Sequence, residues 1–294
     1  MEILHRIVES ASDDMPTLSA LALTSTSLVS AAQALMFKEL RVGGEEMDCD
    51  PFDRFQVLCQ LLGVSPHLLS YVRHLTICFV DHASVVFNTP ITSTHPSLPR
   101  VLQDIVELMS LVSLRIIGSP IIRPDGGDFR QRPVELQEAI SRLFSMRSIS
   151  KIQLERVRGL PLFSVLSAPS LKHLSLIAVD FGPLVDAPAE NAGSHSDSSH
   201  ISPINGSAPR PFLSSLDIVH NYSAGGALPP DLSLQHLLTA QMCGKVDLTR
   251  LRELSLTTVR SSGPSPPGTK DILRMASERL QSLVLRGYSR EFSS

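Results

Sequence analysis

A short apolar motif, L-x-x-L-x-L with Ile or Val at some positions, occurs seven times between residues 72 and 285. Alternate side chains of a strand point to opposite faces, so the last two apolar residues of each motif share one face. The residue between them is polar in six of the seven motifs, which predicts strands with one buried and one solvated face. The motifs are Val72/Leu75/Ile77, Leu111/Leu114/Ile116, Ile149/Ile152/Leu154, Leu171/Leu174/Leu176, Leu213/Leu216/Ile218, Leu251/Leu254/Leu256 and Leu280/Leu283/Leu285.

Stretches with helical spacing of apolar residues precede most of the motifs, at residues 55–62, 101–108, 134–144, 234–242 and 272–275. Helix followed by strand therefore recurs, which predicts parallel strands connected by helices. Before the first motif, residues 2–10 and 17–35 have helical spacing, and acids followed by Pro16 mark a helix start. The sequence Phe37-x-x-Leu40-x-Val42 resembles one more strand.

The recurrence of one supersecondary unit indicates a repeat architecture. The intervals between motifs run from 22 to 42 residues, and leucine-rich repeats usually take about 20–29. Insertions are therefore expected, the clearest being a disordered excursion at 182–211, with others near 81–97, 118–132 and 260–268. We predict an α/β fold: an irregular leucine-rich-repeat-like solenoid with parallel strands on the concave face and helices on the convex face.

Composition narrows the function classes. The net charge of −3 without a Lys/Arg cluster argues against nucleic acid as a partner. The four cysteines are scattered, with no C-x-x-C pair, which indicates a reducing compartment. No apolar run approaches about 18 residues, so no membrane partner is expected. We predict a cytoplasmic or nuclear protein.

Candidate chemistry is sparse. Gly263 to Lys270 resembles a P-loop, but its final Thr and Lys are reversed and three prolines remove the N–H groups that would hold phosphate. His195 and His200 lie in a Ser-rich loop that provides no frame for zinc. No G-x-S-x-G or H-E-x-x-H motif is present. We predict no enzymatic activity, cofactor or metal; a hydrolase with a dispersed Ser–His–Asp triad stays an alternative that no motif favours.

Three N-terminal stretches, residues 1–8, 16–23 and 36–42, resemble an F-box. Residues 65–75, S-P-H-L-L-S-Y-V-R-H-L, also resemble a strand motif of fungal F-box proteins that have leucine-rich-repeat-like tails. The likeness covers nearly the whole chain, with a shortened F-box-like segment at 1–42 and the repeat region at 43–294. The Leu-Pro that opens the family's first helix is absent, and Leu28 stands where the family often has Trp.

The resemblance implies a substrate-recognition subunit of a Skp–cullin–F-box ubiquitin ligase. Its partners would be a Skp-type adaptor, a cullin reached through that adaptor, and an unknown target protein. The residues carried over for adaptor contact, expected to form a small exposed apolar patch, are Ile3, Leu4, Ile7, Val8, Leu18, Leu21 and Leu28. Alternatively, the same residues cap the first repeat of the solenoid.

The outward positions of the predicted strands are the candidates for binding the target protein. A polar surface with apolar patches suits protein recognition. The candidate residues are His74, Thr76, Arg115, Lys151, Gln153, His173, Asp217, Glu253 and Arg286. A repeat-only interaction scaffold without a link to ubiquitin is the main alternative.

Overall fold

Within the part of the chain that the structure describes, eight strands join in one parallel sheet, and each of the seven motifs forms one of them. The computed structural model describes residues 6, 8–24, 26–42, 51–79, 97–108, 110–118, 128–182, 210–220, 233–258 and 268–287. The eighth strand is the predicted one that ends at Val42, and it occupies the first edge of the sheet. The expected insertion at 182–211 and those near 81–97, 118–132 and 260–268 fall mostly outside the described residues.

Helices connect most of the strands, so the fold is mixed α/β, as predicted. The sheet contains β1 (Glu39–Val42), β2 (His74–Cys78), β3 (Ser113–Ile117), β4 (Lys151–Glu155), β6 (His173–Ile177), β8 (Ser215–His220), β9 (Glu253–Thr258) and β10 (Ser282–Gly287). Strands β5 (Arg158–Leu160) and β7 (Asp180–Phe181) form a separate small sheet. The helices whose bounds the structure describes are α1 (Met15–Thr24), α2 (Thr26–Met36), α3 (Pro51–Val64), α4 (Leu98–Leu108), α5 (Val134–Phe144), α6 (Leu162–Val165), α7 (Ser233–Met242) and α8 (Thr269–Ala276). Residues Pro66–Tyr71 and Phe129–Gln131 form 3-10 helices.

All eight strands are aligned in phase, so equal positions of the motif form rows that cross the sheet. Leu114 of β3, for example, pairs with Leu75 on one side and Ile152 on the other. The same correspondence continues to both edges. Because side-chain direction has period two in a strand, this register places every motif's apolar pair on the same face.

A repeated backbone hydrogen bond fixes this register at the amino-terminal end of the strands. The carbonyl of Arg73, just before β2, accepts from the N–H groups of both Val112 and Ser113 at 2.8 and 3.0 Å. Seven carbonyls do the same for the next strand along, with N···O distances of 2.7 to 3.2 Å. The seven residues are Lys38, Arg73, Val112, Ser150, Lys172, Ser214 and Arg252. Each strand is thus tied to its predecessor before ordinary ladder pairing begins.

The main core lies between the sheet and the helices. Leu114 and Ile116 of β3 are completely buried, whereas Arg115 between them is partly exposed. Helical residues such as Leu102 and Ile140 belong to the same apolar cluster. Burying each such side chain contributes about 1.5–3 kcal/mol.

The last strand departs from the core prediction. Leu283 and Leu285 of β10 occupy core positions of the motif but are 44% and 59% exposed. Neither side chain belongs to the main apolar cluster of the described residues. The prediction of burial is wrong for this strand because burial requires an element from the next unit.

The N-terminal helices form a second, smaller core. Val8, Leu18, Leu28 and Ala32 bury one another apart from the main cluster. The single helix expected over 17–35 is two helices, α1 and α2, which pack together. Asp14 caps α1 by accepting from the Thr17 N–H and hydroxyl, and these bonds hold the pKa of its carboxyl below the usual value.

Substitution of Gly118 tests how closely the chain packs at the carboxyl ends of the strands. A Cβ at this buried position would lie 1.9 Å from the Arg156 carbonyl oxygen, so the backbone would have to shift. We expect Gly118→Ala to lower the free energy of unfolding by about 1–3 kcal/mol, measured by urea denaturation.

Gly63→Ala is the matched control, since nothing lies within 4 Å of the Cβ it would add. In helix α3 it should raise the free energy of unfolding by about 0.5–1 kcal/mol. Equal effects of the two substitutions would contradict the packing argument.

Candidate functional site on the open sheet face

The sheet face opposite the helices carries the candidate site, and we call it the open face. Its side chains stand at the first, third and fifth positions of each strand. The third positions of the seven motif strands are all partly exposed, as the alternation predicted. They are Thr76, Arg115, Gln153, Ser175, Asp217, Ser255 and Val284.

All nine residues predicted to bind the target protein lie at first, third or fifth positions of the open face. The register places Arg115 between Thr76 and Gln153. It places Lys151 beside His173. The remaining members are His74 beside the β3 strand, Asp217 and Glu253 on neighbouring strands, and Arg286 at the far edge.

A cluster of one acid and two arginines occupies the middle of this face. The Arg115 guanidinium donates to Glu155 Oε2 at 2.8 Å, and the Arg156 guanidinium donates to Glu155 Oε1. The Glu155 side chain is only 14% exposed, against 43% for Arg115. One carboxylate therefore holds two guanidinium groups, and the cluster keeps a net charge of +1. The motif positions signalled Arg115 but gave no sign of Glu155 or Arg156 as its partners.

Backbone conformation explains how consecutive residues meet on one face. Arg156 directly follows β4 and has a φ of 54°, in the left-handed region that non-glycine residues rarely adopt. This conformation interrupts the alternation of the strand, so the Arg156 side chain returns to Glu155. Ala178 after β6 has the same conformation, with a φ of 52°. The Arg156 N–H donates to the Ile177 carbonyl at 2.7 Å, which secures the turn.

Two opposing effects act on Glu155. Burial of the carboxylate acts to raise its pKa, but the hydrogen bonds and charges of Arg115 and Arg156 together outweigh it. The pKa of Glu155 therefore lies below its ordinary value. The cluster is a fixed electrostatic feature of the open face at neutral pH, with Glu155 ionised.

An apolar strip borders the cluster at the carboxyl ends of the strands. Cys78 and Ile117 at fifth positions are buried, and Ile177 and Val219 are partly buried. One buried atom in this region, Arg115 Nε, has no hydrogen-bond partner among the described residues. The open face thus combines polar and charged rows with an apolar border, a composition that suits contact with another protein.

A second charged cluster lies around the small sheet, and no sequence pattern signalled it. Asp128 accepts from Arg130 through both carboxylate oxygens, and these bonds lower the pKa of Asp128. Asp180 is paired in register with Arg158, and partial desolvation of its carboxylate raises its pKa despite the nearby arginines. Gly159 at φ 70° brings the chain so close that a Cβ would lie 2.0 Å from Asp128 Oδ1. Two acids and two arginines lie near one another here, so their formal charges cancel.

The predicted adaptor-contact residues have a different environment from the one expected. Val8, Leu18 and Leu28 are buried inside the small core, so the expectation of an exposed patch is wrong for them. They hold α1 and α2 together instead. Leu21 is partly buried, and Ile3, Leu4 and Ile7 lie outside the described residues. Among the described residues of this segment, the large apolar side chains that are exposed are Met15 and Leu23, at 50% and 89% exposure.

Within the described ranges, no three His, Cys, Asp or Glu side chains group closely enough to hold a metal ion. The described helices include none that is long and apolar enough to cross a membrane. The chain matches no protein-family model and no curated protein sequence.

Glu155 gives the open face a pH dependence. Because folding lowers its pKa, the ionised carboxylate stabilises the fold above about pH 4.3, and this contribution disappears as the pH falls through the folded-state pKa. Glu155→Gln should lower the free energy of unfolding by about 1–3 kcal/mol at neutral pH. The difference from the unsubstituted protein should shrink at acidic pH, measured by urea denaturation at both pH values.

Glu253→Gln is the control, since this exposed acid on the same face forms no ion pair among the described residues. Its effect should be small at both pH values. A Glu155→Gln deficit that is the same at neutral and acidic pH would contradict the role given to the two arginines.

Proposed function

We propose that this protein is a non-enzymatic substrate receptor of a Skp–cullin–F-box type ubiquitin ligase. Residues 1–42 would bind a Skp-type adaptor, and through it a cullin. The repeat region, which we infer to be a leucine-rich-repeat-like solenoid with the open face on its concave side, would bind the target protein. This role belongs in the cytoplasm or nucleus.

The observation that carries the proposal is the order of two cores along the chain. The helical segment ending at Met36 has its own small core, and only Phe37 and Lys38 separate it from β1. β1 is already in register with the first motif strand. Helix α2 also contacts the 3-10 helix Pro66–Tyr71. An adaptor-binding helical unit joined directly to a target-binding sheet is the arrangement that a receptor needs.

Exposed apolar side chains support an adaptor contact. Leu23 at 89% exposure and Met15 at 50% belong to α1, and neither is needed for the small core. Leu21, partly buried beside that core, could reach the same surface. Apolar side chains presented on a helix are the usual elements of helix-mediated recognition.

The open face supports a role in binding a target. Its polar residues Lys151, His173 and Glu253 are exposed, and polar rows alternate with the buried motif positions. Rigid parallel strands hold these side chains at a spacing of about 4.8 Å between neighbouring strands. A protein surface presented in this way selects partners by charge and shape without any reacting group.

A repeat-only interaction scaffold is the second candidate, and the burial of Val8, Leu18 and Leu28 favours it. In that case the small core closes the first edge of the solenoid and has no adaptor. The two candidates share the open face and differ only in the function of residues 1–42.

The deciding experiment is co-purification of the full chain with a Skp-type adaptor. We expect the protein to capture the adaptor and Leu23→Ser to reduce capture about tenfold, because a buried apolar contact is lost at the interface. Val64→Ser is the matched control, since Val64 is 84% exposed on α3 and lies outside the helical segment. No capture by the unsubstituted protein, or equal loss in both variants, would remove the ubiquitin-ligase assignment and favour the scaffold.

A further inference from the structure

A row of cations lies at the amino-terminal end of the central strands. Only some of these residues are among the nine open-face candidates. Each strand contributes two consecutive residues to this end. The first is the residue whose carbonyl accepts the repeated hydrogen bonds, and the second is the first residue of the strand. We call the central part of this end the basic rim. Its residues, at the starts of β2, β3, β4 and β6, are Arg73, His74, Val112, Ser113, Ser150, Lys151, Lys172 and His173.

The charge of the basic rim is one-sided. Its eight residues include Arg73, Lys151 and Lys172, which are all exposed, and no acid. The ammonium groups of Lys151 and Lys172 have no ion pair or hydrogen bond with any part of the chain that the structure describes. Unpaired lysines on a protein with a net charge of −3 form a local patch of opposite sign.

Hydrogen bonds fix the backbone that carries these cations. The Val112 carbonyl accepts from Ser150 and Lys151 at 2.9 and 3.2 Å, and the Ser150 carbonyl accepts from Lys172 and His173 at 2.9 and 3.0 Å. Arg73 is further fixed because its guanidinium donates to the Ser70 and Ser110 carbonyls. A rim that is ordered before binding loses little backbone entropy when a partner docks.

An apolar side chain stands within the row of cations. Val112, just before β3, is 38% exposed and lies between Arg73 and the β4 lysine in the order of the strands. From β2 to β6 the rim spans three strand spacings, roughly 14 Å, which about four or five residues of extended peptide would cover. The rim therefore matches a short segment that carries several carboxylates and one apolar side chain.

We propose that the basic rim binds an acidic segment of a partner protein, with carboxylates on Arg73, Lys151 and Lys172 and an apolar side chain on Val112. The idea that this segment belongs to a ligase target rests on the proposed function. The binding of an acidic segment to the basic rim does not. The observations favour protein over nucleic acid. A phosphate strand that continued past the rim would meet Asp217 on β8 and Glu253 on β9, whereas four or five peptide residues stay within β2 to β6. Phosphate would also leave Val112 without an apolar contact.

The test measures binding of a short fluorescent peptide, in which aspartates flank a single leucine, to the full chain by fluorescence anisotropy. The Lys151→Glu, Lys172→Glu double variant should bind about tenfold or more weakly at low salt, since attraction becomes repulsion at two positions. Raising the salt concentration should weaken binding to the unsubstituted protein and narrow that difference. Both lysines are exposed, so circular dichroism should show an unchanged fold.

Three controls sharpen the result. Lys270→Glu makes the same charge change on an exposed residue of α8, in the first turn of that helix, and should alter affinity less than about twofold. Val112→Ser should weaken the leucine peptide but not a version with glycine in place of leucine. An asparagine version of the peptide should bind much more weakly than the aspartate peptide.

Equal affinity for the asparagine and aspartate peptides, or an unchanged affinity in the double variant, would overturn the proposal. Tighter binding of oligothymidine than of the acidic peptide would overturn it in favour of nucleic acid. Adaptor capture is measured separately and uses residues far from Lys151 and Lys172 in the chain. Lost adaptor capture with retained peptide binding would remove the ligase role and leave the basic rim intact, and the reverse result would remove only the basic rim.

Discussion

The in-phase pairing of the strands is the constraint on which the rest of the structure depends. A carbonyl just before each strand binds two consecutive N–H groups of the next, and this happens at seven successive junctions. Because a shift of one residue would turn every side chain of a strand to the other face, this junction decides which residues are core and which are surface. The rows of buried motif residues (the Leu rows), the polar rows of the open face and the basic rim all result from one backbone arrangement.

The sequence predicted the part of the fold that this constraint governs. The L-x-x-L-x-L spacing located seven strands and their buried faces, since a period of two inside the motif leaves little choice of orientation. Helices before the motifs at 72, 111, 149, 251 and 280 were also found from their apolar spacing. The split between α1 and α2 was not, because small residues such as Ala and Ser fit a continuous helix as well as an interrupted one.

The interactions between separate units could not be read from the chain. Glu155 and Arg115 are 40 residues apart, and only the register brings their strands together. Arg156 joins them through a left-handed backbone conformation, which the sequence does not predict because arginine rarely adopts it. The exposure of Leu283 was also not predictable from its motif position. A motif position is buried only when the next unit covers it. Val8, Leu18 and Leu28 were expected in an exposed patch, but they bury one another in the small core, because apolar spacing alone does not say which partner covers a helix face.

The division into two cores has a consequence for how damage to this protein would act in a cell. Val8, Leu18 and Leu28 stabilise the helical segment, whereas the Leu rows stabilise the sheet, and the two apolar clusters are separate. A lesion in the small core leaves the sheet with its own sources of stability. In the receptor that we propose, such an allele would still hold its target while failing to deliver it. It would therefore protect the target from degradation and interfere with the intact copy, whereas an allele damaged in the sheet would simply be inactive.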